Sequence, residues 1–309
     1  MKLLHTASEL NPGSRKVCLA IGFFDGVHLG HQQILRHTIN NARQHGALSL
    51  AITFDHHPNS VVAPARVPPL IYSLPQRLRA IESLGPEALL LIHFDKAFSQ
   101  KTGQAFIREL AAAWRIQSIC VGANFVFGHK RGGNVDLLKQ LGAELKFSVH
   151  GMAAVSLDGK RVSSTRIRDA IRAGELDFAS QLLGRPYSIS GRVLEGDKLG
   201  HRLGFPTANL DATALALPPS GVYAIQAIIR GQSHRAVLNI GTRPTIENPH
   251  PSVRVEAHLL DFSGTLYGEE LELVFTEKLR EEKKFPSLEE LKTQIARDID
   301  RAKEIFESR

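Results

Sequence analysis

Only two of the 309 residues are cysteine, and aromatic residues make up 6% of the chain. Cys18 and Cys120 each sit in an apolar run, Val17-Cys18-Leu19-Ala20-Ile21 and Ile119-Cys120-Val121. Isolated thiols in such surroundings build neither a disulfide framework nor a cysteine-rich zinc site, and they read as buried and reduced. No segment is apolar enough to span a bilayer, and Met1-Lys2-Leu3-Leu4-His5 has no long apolar core behind it. A membrane partner is therefore not expected, and the expected location is the cytoplasm. Internal repeats and low-complexity tracts are lacking too. The shortage of aromatics, without an RNA-binding aromatic motif, speaks against a nucleic-acid partner. The sequence carries no sign of its oligomeric state.

What is present is the composition of a folded protein, 43% hydrophobic and 22% charged, at a length that suggests two domains. Lys and Arg outnumber Asp and Glu by 38 to 31, a net charge of +7 that favours anionic partners such as nucleotides. The cations are scattered, so a solvated basic surface explains them equally well.

Along the first half, short apolar runs alternate with helix-like segments: strand 17–22, helix 30–45, strand 48–54, strand 88–93, helix 102–114, strand 116–121 and strand 145–149. This rhythm predicts a parallel α/β sheet covered by helices on both faces. From about residue 186 it changes. Segments 187–193, 221–229, 236–240, 253–259 and 271–275 read as strands separated by Gly, Pro and Asn, which favours an antiparallel sheet or barrel. A final helix spans 287–306, with Leu288, Leu291, Ile295, Ile299 and Ile305 near helical spacing and Ser287-Leu288-Glu289-Glu290 as a capping box. The expected division falls near Gly184-Arg185-Pro186, giving domains 1–184 and 185–309.

The first strand runs into Gly22-Phe23-Phe24-Asp25-Gly26-Val27-His28-Leu29-Gly30-His31, with a helix expected to follow. Ligands bind beyond the carboxyl ends of parallel strands. Glycines there allow close backbone approach, a helix start favours anions, and two imidazoles can donate to phosphate oxygens. His pairs at helix starts also serve as caps or metal ligands, but no third ligand stands at zinc-site spacing. Further on, Ser163-Ser164-Thr165-Arg166-Ile167-Arg168 opens another helix. By itself it reads as an N-cap with surface arginines; beside the first motif, its hydroxyls, helix-terminal amides and Arg168 can grip phosphates.

The second half carries Gly196-Asp197-Lys198-Leu199-Gly200-His201-Arg202-Leu203-Gly204-Phe205-Pro206-Thr207-Ala208-Asn209. A glycine-rich hairpin is the plain account. The alternative is a phosphate-cradling loop, with Thr207 and Asn209 on one face of an extended segment offering oxygens to Mg2+. It is not a P-loop, because G-x-x-x-x-G-K-[ST] is absent. Glu256, in Val253-Arg254-Val255-Glu256-Ala257-His258-Leu259, reads by itself as a solvent-facing strand residue.

The His28 and Ser164 segments resemble those of the H-x-G-H nucleotidyltransferases. Between them, Phe54-Asp55-His56-His57-Pro58 and Gly122-Ala123-Asn124-Phe125-Val126-Phe127-Gly128 look like the flavin-side motifs of bacterial FAD synthetases. With the P-T-A-N segment and Glu256, residues 15–306 resemble the bifunctional riboflavin kinase/FAD synthetase family. The resemblance implies an N-terminal Rossmann-like nucleotidyltransferase domain followed by an antiparallel β-barrel kinase domain and a C-terminal helix. It implies ATP-dependent, Mg2+-assisted conversion of riboflavin to FMN and adenylylation of FMN to FAD.

By the same resemblance His28 and His31 are catalytic at the adenylyl site. Gly22, Phe23, Asp25, Gly30, Ser164, Thr165 and Arg168 bind ATP there, while His57, Pro58 and Asn124 border the flavin. In the kinase, Glu256 is the carboxylate that takes the ribityl hydroxyl proton. Gly196, Lys198 and Gly200 bind ATP, Thr207 and Asn209 hold Mg2+, and Arg280 lies near the flavin. The chain departs from the family at His56, where Pro is usual, at Asn124, where a carboxylate is common, and at His201, where Arg is often found. A chain with only the adenylyl activity and a flavin-binding barrel is the alternative, as is a regulatory protein without turnover.

Overall fold

The central strands of the first half bury both faces, and the alternation of their residues decides what covers each face. In the computed structural model, which describes residues 1–196, 200, 203–243 and 252–308, the chain divides into two compact units. The first comprises Met1–Pro69 and Leu74–Ser164; the second comprises Leu70–Ser73 and Thr165–Arg309.

The first unit is built on β1 (Lys2–Leu4), β2 (Val17–Ile21), α1 (Leu29–Gln44), β3 (Leu48–Phe54), α2 (Asn59–Val62), α3 (Leu74–Glu82), β4 (Ala88–Ile92), α4 (Lys96–Ser99), α5 (Gly103–Ala113), β5 (Ile116–Gly122), α6 (Val135–Leu145) and β6 (Ser148–Met152). A small hairpin, β7 (Ser156–Leu157) and β8 (Lys160–Arg161), follows. Six parallel strands pair in the order β1-β4-β3-β2-β5-β6. Leu19, Ile21, Leu50, Ile52, Ile119 and Val121 pack with Phe106, Ile107 and Leu110 of α5 and with Leu138 and Leu141 of α6. The intervening Ala20, Ala51, Leu89 and Cys120 face Ile34 and Leu35 of α1 and Ile81 of α3. This is the period of two expected of strands covered on both sides. Cys18 and Cys120 are buried and free, and burial pushes the Cys120 thiol up to about 12, so it stays protonated.

The order reverses at β2, whose neighbours are β3 on one side and β5 on the other. That is the topological switch point, where the two connections leave in opposite directions and open a crevice at the carboxyl ends.

The second unit carries α7 (Ser164–Ala173, its first residue belonging to the first unit) and α8 (Leu176–Leu183), then β9 (Ser188–Leu194), β10 (Ala208–Leu210), β11 (Gly221–Ile229), β12 (Gln232–Arg243), β13 (Ser252–Leu259), β14 (Glu270–Glu281) and α9 (Leu288–Glu307). The six strands close into an antiparallel barrel in the order β10-β13-β12-β11-β14-β9. Closure leaves no unpaired sheet edge to template aggregation. Ile299, Ala302 and Ile305 of α9 cover Val222, Ala224 and Val237 of the barrel wall. Ser287 caps this helix, its hydroxyl accepting from the Glu290 N–H at 3.2 Å.

The sequence expectation did not name α2, α3, α4, α6, α8, β7 or β8, and at two further places the structure departs from it for a local reason. Leu145 ends α6 rather than opening a strand, because Lys146 takes a left-handed conformation (φ 62°) that stops the helix and delays the strand to Ser148. The three-residue β1 was not expected, since a run that short has no legible period. No helix among the described residues is long and apolar enough to cross a membrane.

The barrel and its helix are joined by one buried ion pair. Arg280 on β14 donates from Nε to both Asp298 carboxylate oxygens at 3.0 Å and from Nη2 to Oδ2 at 2.8 Å, while Gln294 adds a bond to Oδ1 at 2.9 Å. Asp298 is 5% exposed and the Arg280 side chain 20%, so removing the carboxylate leaves a largely buried guanidinium without its acidic partner. Asp298→Ala is expected to weaken protection of the β14 amides in native-state hydrogen exchange by about 3 kcal/mol. Asp300→Ala, exposed on the same helix, should cost less than about 0.5 kcal/mol.

Candidate active sites

In the first unit, a cavity of about 400 Å³ opens at the switch point. Its walls come from the segment after β2 (Gly22, Phe23, Phe24, His28, Gly30, His31), the segment after β5 (Gly122 to Phe125), and a stretch from Met152 to Ser164. The turn after β2 is tightly wound, with Phe24 (φ 57°), Gly26 (φ 73°) and Val27 (φ 41°) all left-handed. It delivers His28 as the N-cap of α1, where its Nδ1 accepts from the His31 N–H at 3.4 Å. The two imidazoles stack with centroids 3.7 Å apart, and the edge of Phe24 closes against His31 at 5.3 Å.

Glycine at two positions leaves room for the rings of this turn. A Cβ on residue 30 would stand 3.2 Å from His28 Cε1, and one on residue 22 would stand 2.8 Å from Phe24 Cε1. Both positions bring backbone against a ring that has to hold its place. The result is a concave, mostly apolar wall with two nitrogen-bearing rings at a helix N-terminus, a setting that suits phosphate.

The turn is held from beneath by Arg77 of α3, a residue the sequence reading missed. Its Nη1 donates to Phe23 O at 3.0 Å and its Nη2 to Phe54 O at 2.5 Å, and its guanidinium lies 4.1 Å from the Phe23 ring centroid. Thr53 donates to the same Phe23 carbonyl at 3.0 Å. Burial pushes Arg77 down to about 10, against the opposing pull of Asp25 and Asp55, so it remains a cation. A charged residue in an amphipathic helix looks solvated from sequence, and nothing local marks this one as buried.

The predicted residues fall in distinct places. Gly22, Phe23, His28, Gly30, His31, Asn124 and Ser164 line the cavity, and Asn124 also lines a neighbouring one with Asn134, Asp136 and Lys139. Asp25 is buried in the turn, and its carbonyl accepts from the Ser164 hydroxyl at 3.3 Å. His57 meets the Phe23 ring edge to face at 4.9 Å, and its Nδ1 accepts from the Asn59 N–H while Pro58 caps α2. Thr165 follows Ser164 in the first turn of α7, and Arg168, one turn on, is 7% exposed. Val162 and Ser163, from the segment that leads into α7, line the cavity as well, and so does Arg161, which the sequence reading missed.

In the second unit, the glycine loop and the P-T-A-N segment meet. A Cβ on residue 196 would collide with the Asn209 carboxamide, and one on residue 200 with the Phe205 carbonyl, 3.2 Å from the Thr207 hydroxyl. The Phe205 N–H donates to Gly200 O at 2.8 Å, closing the loop on itself. Asn209 on β10 is the register partner of Glu256 on β13, and Glu256 in turn pairs with Asn239 on β12. Directly opposed residues in antiparallel strands project from the same face, so a carboxylate stands between two carboxamides. Val255 and Ala257, on the opposite face, are buried. Glu256 is half-buried, with Arg254 Nη1 3.8 Å from Oε1.

Gly196, Gly200, Thr207, Asn209 and Glu256 are thus brought into one neighbourhood, and Asn239 joins them unpredicted. Lys198, with His201 and Arg202, lies outside the described residues. Arg280 is committed to Asp298 as described above, and its Nη1 donates to Glu281 O at 3.0 Å.

Two family models match the chain, FAD synthetase over residues 11–166 and riboflavin kinase over residues 183–306. Among curated relatives, the bifunctional riboflavin kinase/FMN adenylyltransferase of Pseudomonas fluorescens is 39% identical over 98% of this chain and 97% of its own length. The protein of the same name from Escherichia coli K12 is 37% identical over 99% of this chain and 98% of its own. A solved structure described as a macrolide-efflux protein from Streptococcus pneumoniae superposes with a TM-score of 0.80 at 28% identity, covering 97% of this chain and 98% of that one. Two sites on two units, each matched by its own family model and both spanned by the same full-length relatives, make this chain a member of the bifunctional riboflavin kinase/FMN adenylyltransferase family, which produces FMN and FAD.

Proposed function

We propose that the two reactions divide between the sites, with FMN adenylylation in residues 1–184 and riboflavin phosphorylation in residues 185–309, in the cytoplasm. The observation that carries the first assignment is the stacked His28–His31 pair lining a cavity at the sheet's switch point. An FMN phosphate oxygen attacks the α-phosphorus of ATP, the α–β bridging bond breaks, and pyrophosphate leaves. His28 and His31 donate to the phosphate oxygens on which charge accumulates, worth most in the transition state. Gly22, Phe23, Gly30 and Asp25 shape the phosphate side. Ser164, Thr165 and Arg168 hold the pyrophosphate end, and His57, Pro58 and Asn124 border the flavin.

For the kinase, the carrying observation is Asn209 standing across from Glu256 in the strand register, with Gly196 and Gly200 packed on Asn209 and Thr207. Glu256 accepts the proton of the ribityl hydroxyl as its oxygen attacks the γ-phosphorus and ADP leaves. Thr207 and Asn209 offer a hydroxyl and a carboxamide oxygen, donors of the kind Mg2+ takes, and the ion would neutralise phosphate charge. Gly196, Lys198 and Gly200 form the phosphate loop. Arg280 reaches the flavin side indirectly, by fixing the end of β14 through Asp298.

Purified protein given riboflavin, ATP and Mg2+ is expected to make FMN and then FAD. His31→Ala should lower FAD formation from FMN by about 100-fold and spare FMN formation, whereas Glu256→Gln should do the reverse by a similar factor. Equal loss of both activities in each folded variant would refute two separate sites.

Gly30→Ala tests the ring stack itself. The added methyl crowds His28, so kcat/KM for adenylylation is expected to fall about tenfold while kinase turnover is unchanged. Pyrophosphate release and ADP release, followed separately, distinguish the two.

A further inference from the structure

The carboxyl ends of β3 and β4 bring together three side chains that neither reaction uses. Asp55 follows β3 and His93 follows β4, and the strands pair through Phe54 and Ile92, so the two residues leave the sheet side by side. His93 Nδ1 lies 2.5 Å from Asp55 Oδ2, and His56 Nδ1 lies 3.0 Å from Asp55 Oδ1. One ligand atom from each residue falls within 4.8 Å of the others. The His56 and His93 side chains are 62% and 71% exposed, while that of Asp55 is 16% exposed.

The carboxylate is oriented before any ligand arrives. Oδ1 accepts from the backbone N–H of His56 at 2.7 Å and of Phe94 at 2.9 Å. The Asp55 N–H donates to Ile92 O at 3.0 Å, which ties the residue to the neighbouring strand end. Fixed outer bonds of this kind orient a metal-binding carboxylate and set its basicity. The two imidazoles, by contrast, are exposed, and each meets the carboxylate through its Nδ1. Tetrahedral zinc with bonds near 2.0–2.2 Å separates its ligand atoms by about 3.3 Å, so the two Asp55 contacts need to open by less than about 1 Å and ligand atoms standing up to 4.8 Å apart need to close by about 1.5 Å.

We propose that Asp55, His56 and His93 form a binding site for a first-row transition-metal dication of the zinc class, clamping the loop after β3 to the loop after β4. Two imidazole nitrogens and one carboxylate select Zn2+, Co2+ or Ni2+ over Mg2+, which prefers oxygen donors. Three protein ligands leave the remaining position to water. The site is chemically distinct from the oxygen pair Thr207 and Asn209, and it does not depend on the roles assigned to His57 or to either reaction. His56 stands where a proline would supply no ligand at all.

The test is calorimetric titration of the full chain with Zn2+, free of ATP and chelators, at about pH 7.5 and with millimolar Mg2+ present. One Zn2+ per chain is expected to bind with micromolar or tighter affinity. His56→Ala and His93→Ala, both exposed positions, should each weaken binding at least about tenfold, whereas His5→Ala, exposed elsewhere on the unit, should leave it unchanged. Zn2+ should also raise the melting temperature of the wild type and not of His93→Ala. Affinity that survives both variants, or Zn2+ that Mg2+ displaces, would overturn the proposal.

Discussion

Backbone without a Cβ, pressed against a functional side chain, is the constraint on which both sites depend. At Gly30 it makes room for the His28 ring, and at Gly196 and Gly200 for Asn209 and the loop that holds Thr207. In each case the polar group is held by close contact on one side and left open on the other. Close contact of this kind limits the orientations a side chain can take, and pre-set orientation is what phosphate chemistry rewards.

The first site owes its floor to a buried cation. Arg77 bonds the carbonyls that end β2's turn and β3, and its charge is supported by Asp25 and Asp55 rather than by a direct salt bridge. Carbonyls at the carboxyl ends of parallel strands point outward with no strand to pair them, and a guanidinium with five donors satisfies two such ends at once. The same strand ends carry the Asp55, His56 and His93 cluster. Its carboxylate is raised by burial and lowered by more, through bonds from Phe94, His93 and His56, to a value below the ordinary range. Asp55 in return raises His93 above the usual imidazole value.

In the barrel, Arg280 has a structural partner that a linear reading does not show. The sequence Lys278-Leu279-Arg280-Glu281 offers a cation near a family position, with no hint that its partner lies eighteen residues on, in a helix. The Asp298 side chain is hidden by its own amphipathic pattern, since a carboxylate in a charged helix reads as solvated. Only the packing of α9 against the barrel wall makes the pair buried.

Much of the architecture was legible from hydrophobic period alone. The continuous runs at 17–21, 48–54 and 116–122 are doubly covered strands, and the change of rhythm after 186 is the barrel. His28, Gly30, His31 and Asn209 stand in local motifs of legible spacing, whereas Glu256 by itself reads as a solvent-facing strand residue and was named only through the family resemblance. Strand order, register and burial arise from contacts far apart in the chain, so no window of sequence encodes them. The sequence by itself determined which residues can handle phosphate and in which order along the chain they come. Tertiary structure decided that β2 sits at the switch point, that Asn209 faces Glu256 across a strand pair, that Arg77 is buried beneath the turn, and that His56 and His93 converge on one carboxylate. Each of these is a meeting of residues from different strands or helices, set by the packing of the whole sheet or barrel rather than by any neighbour in sequence.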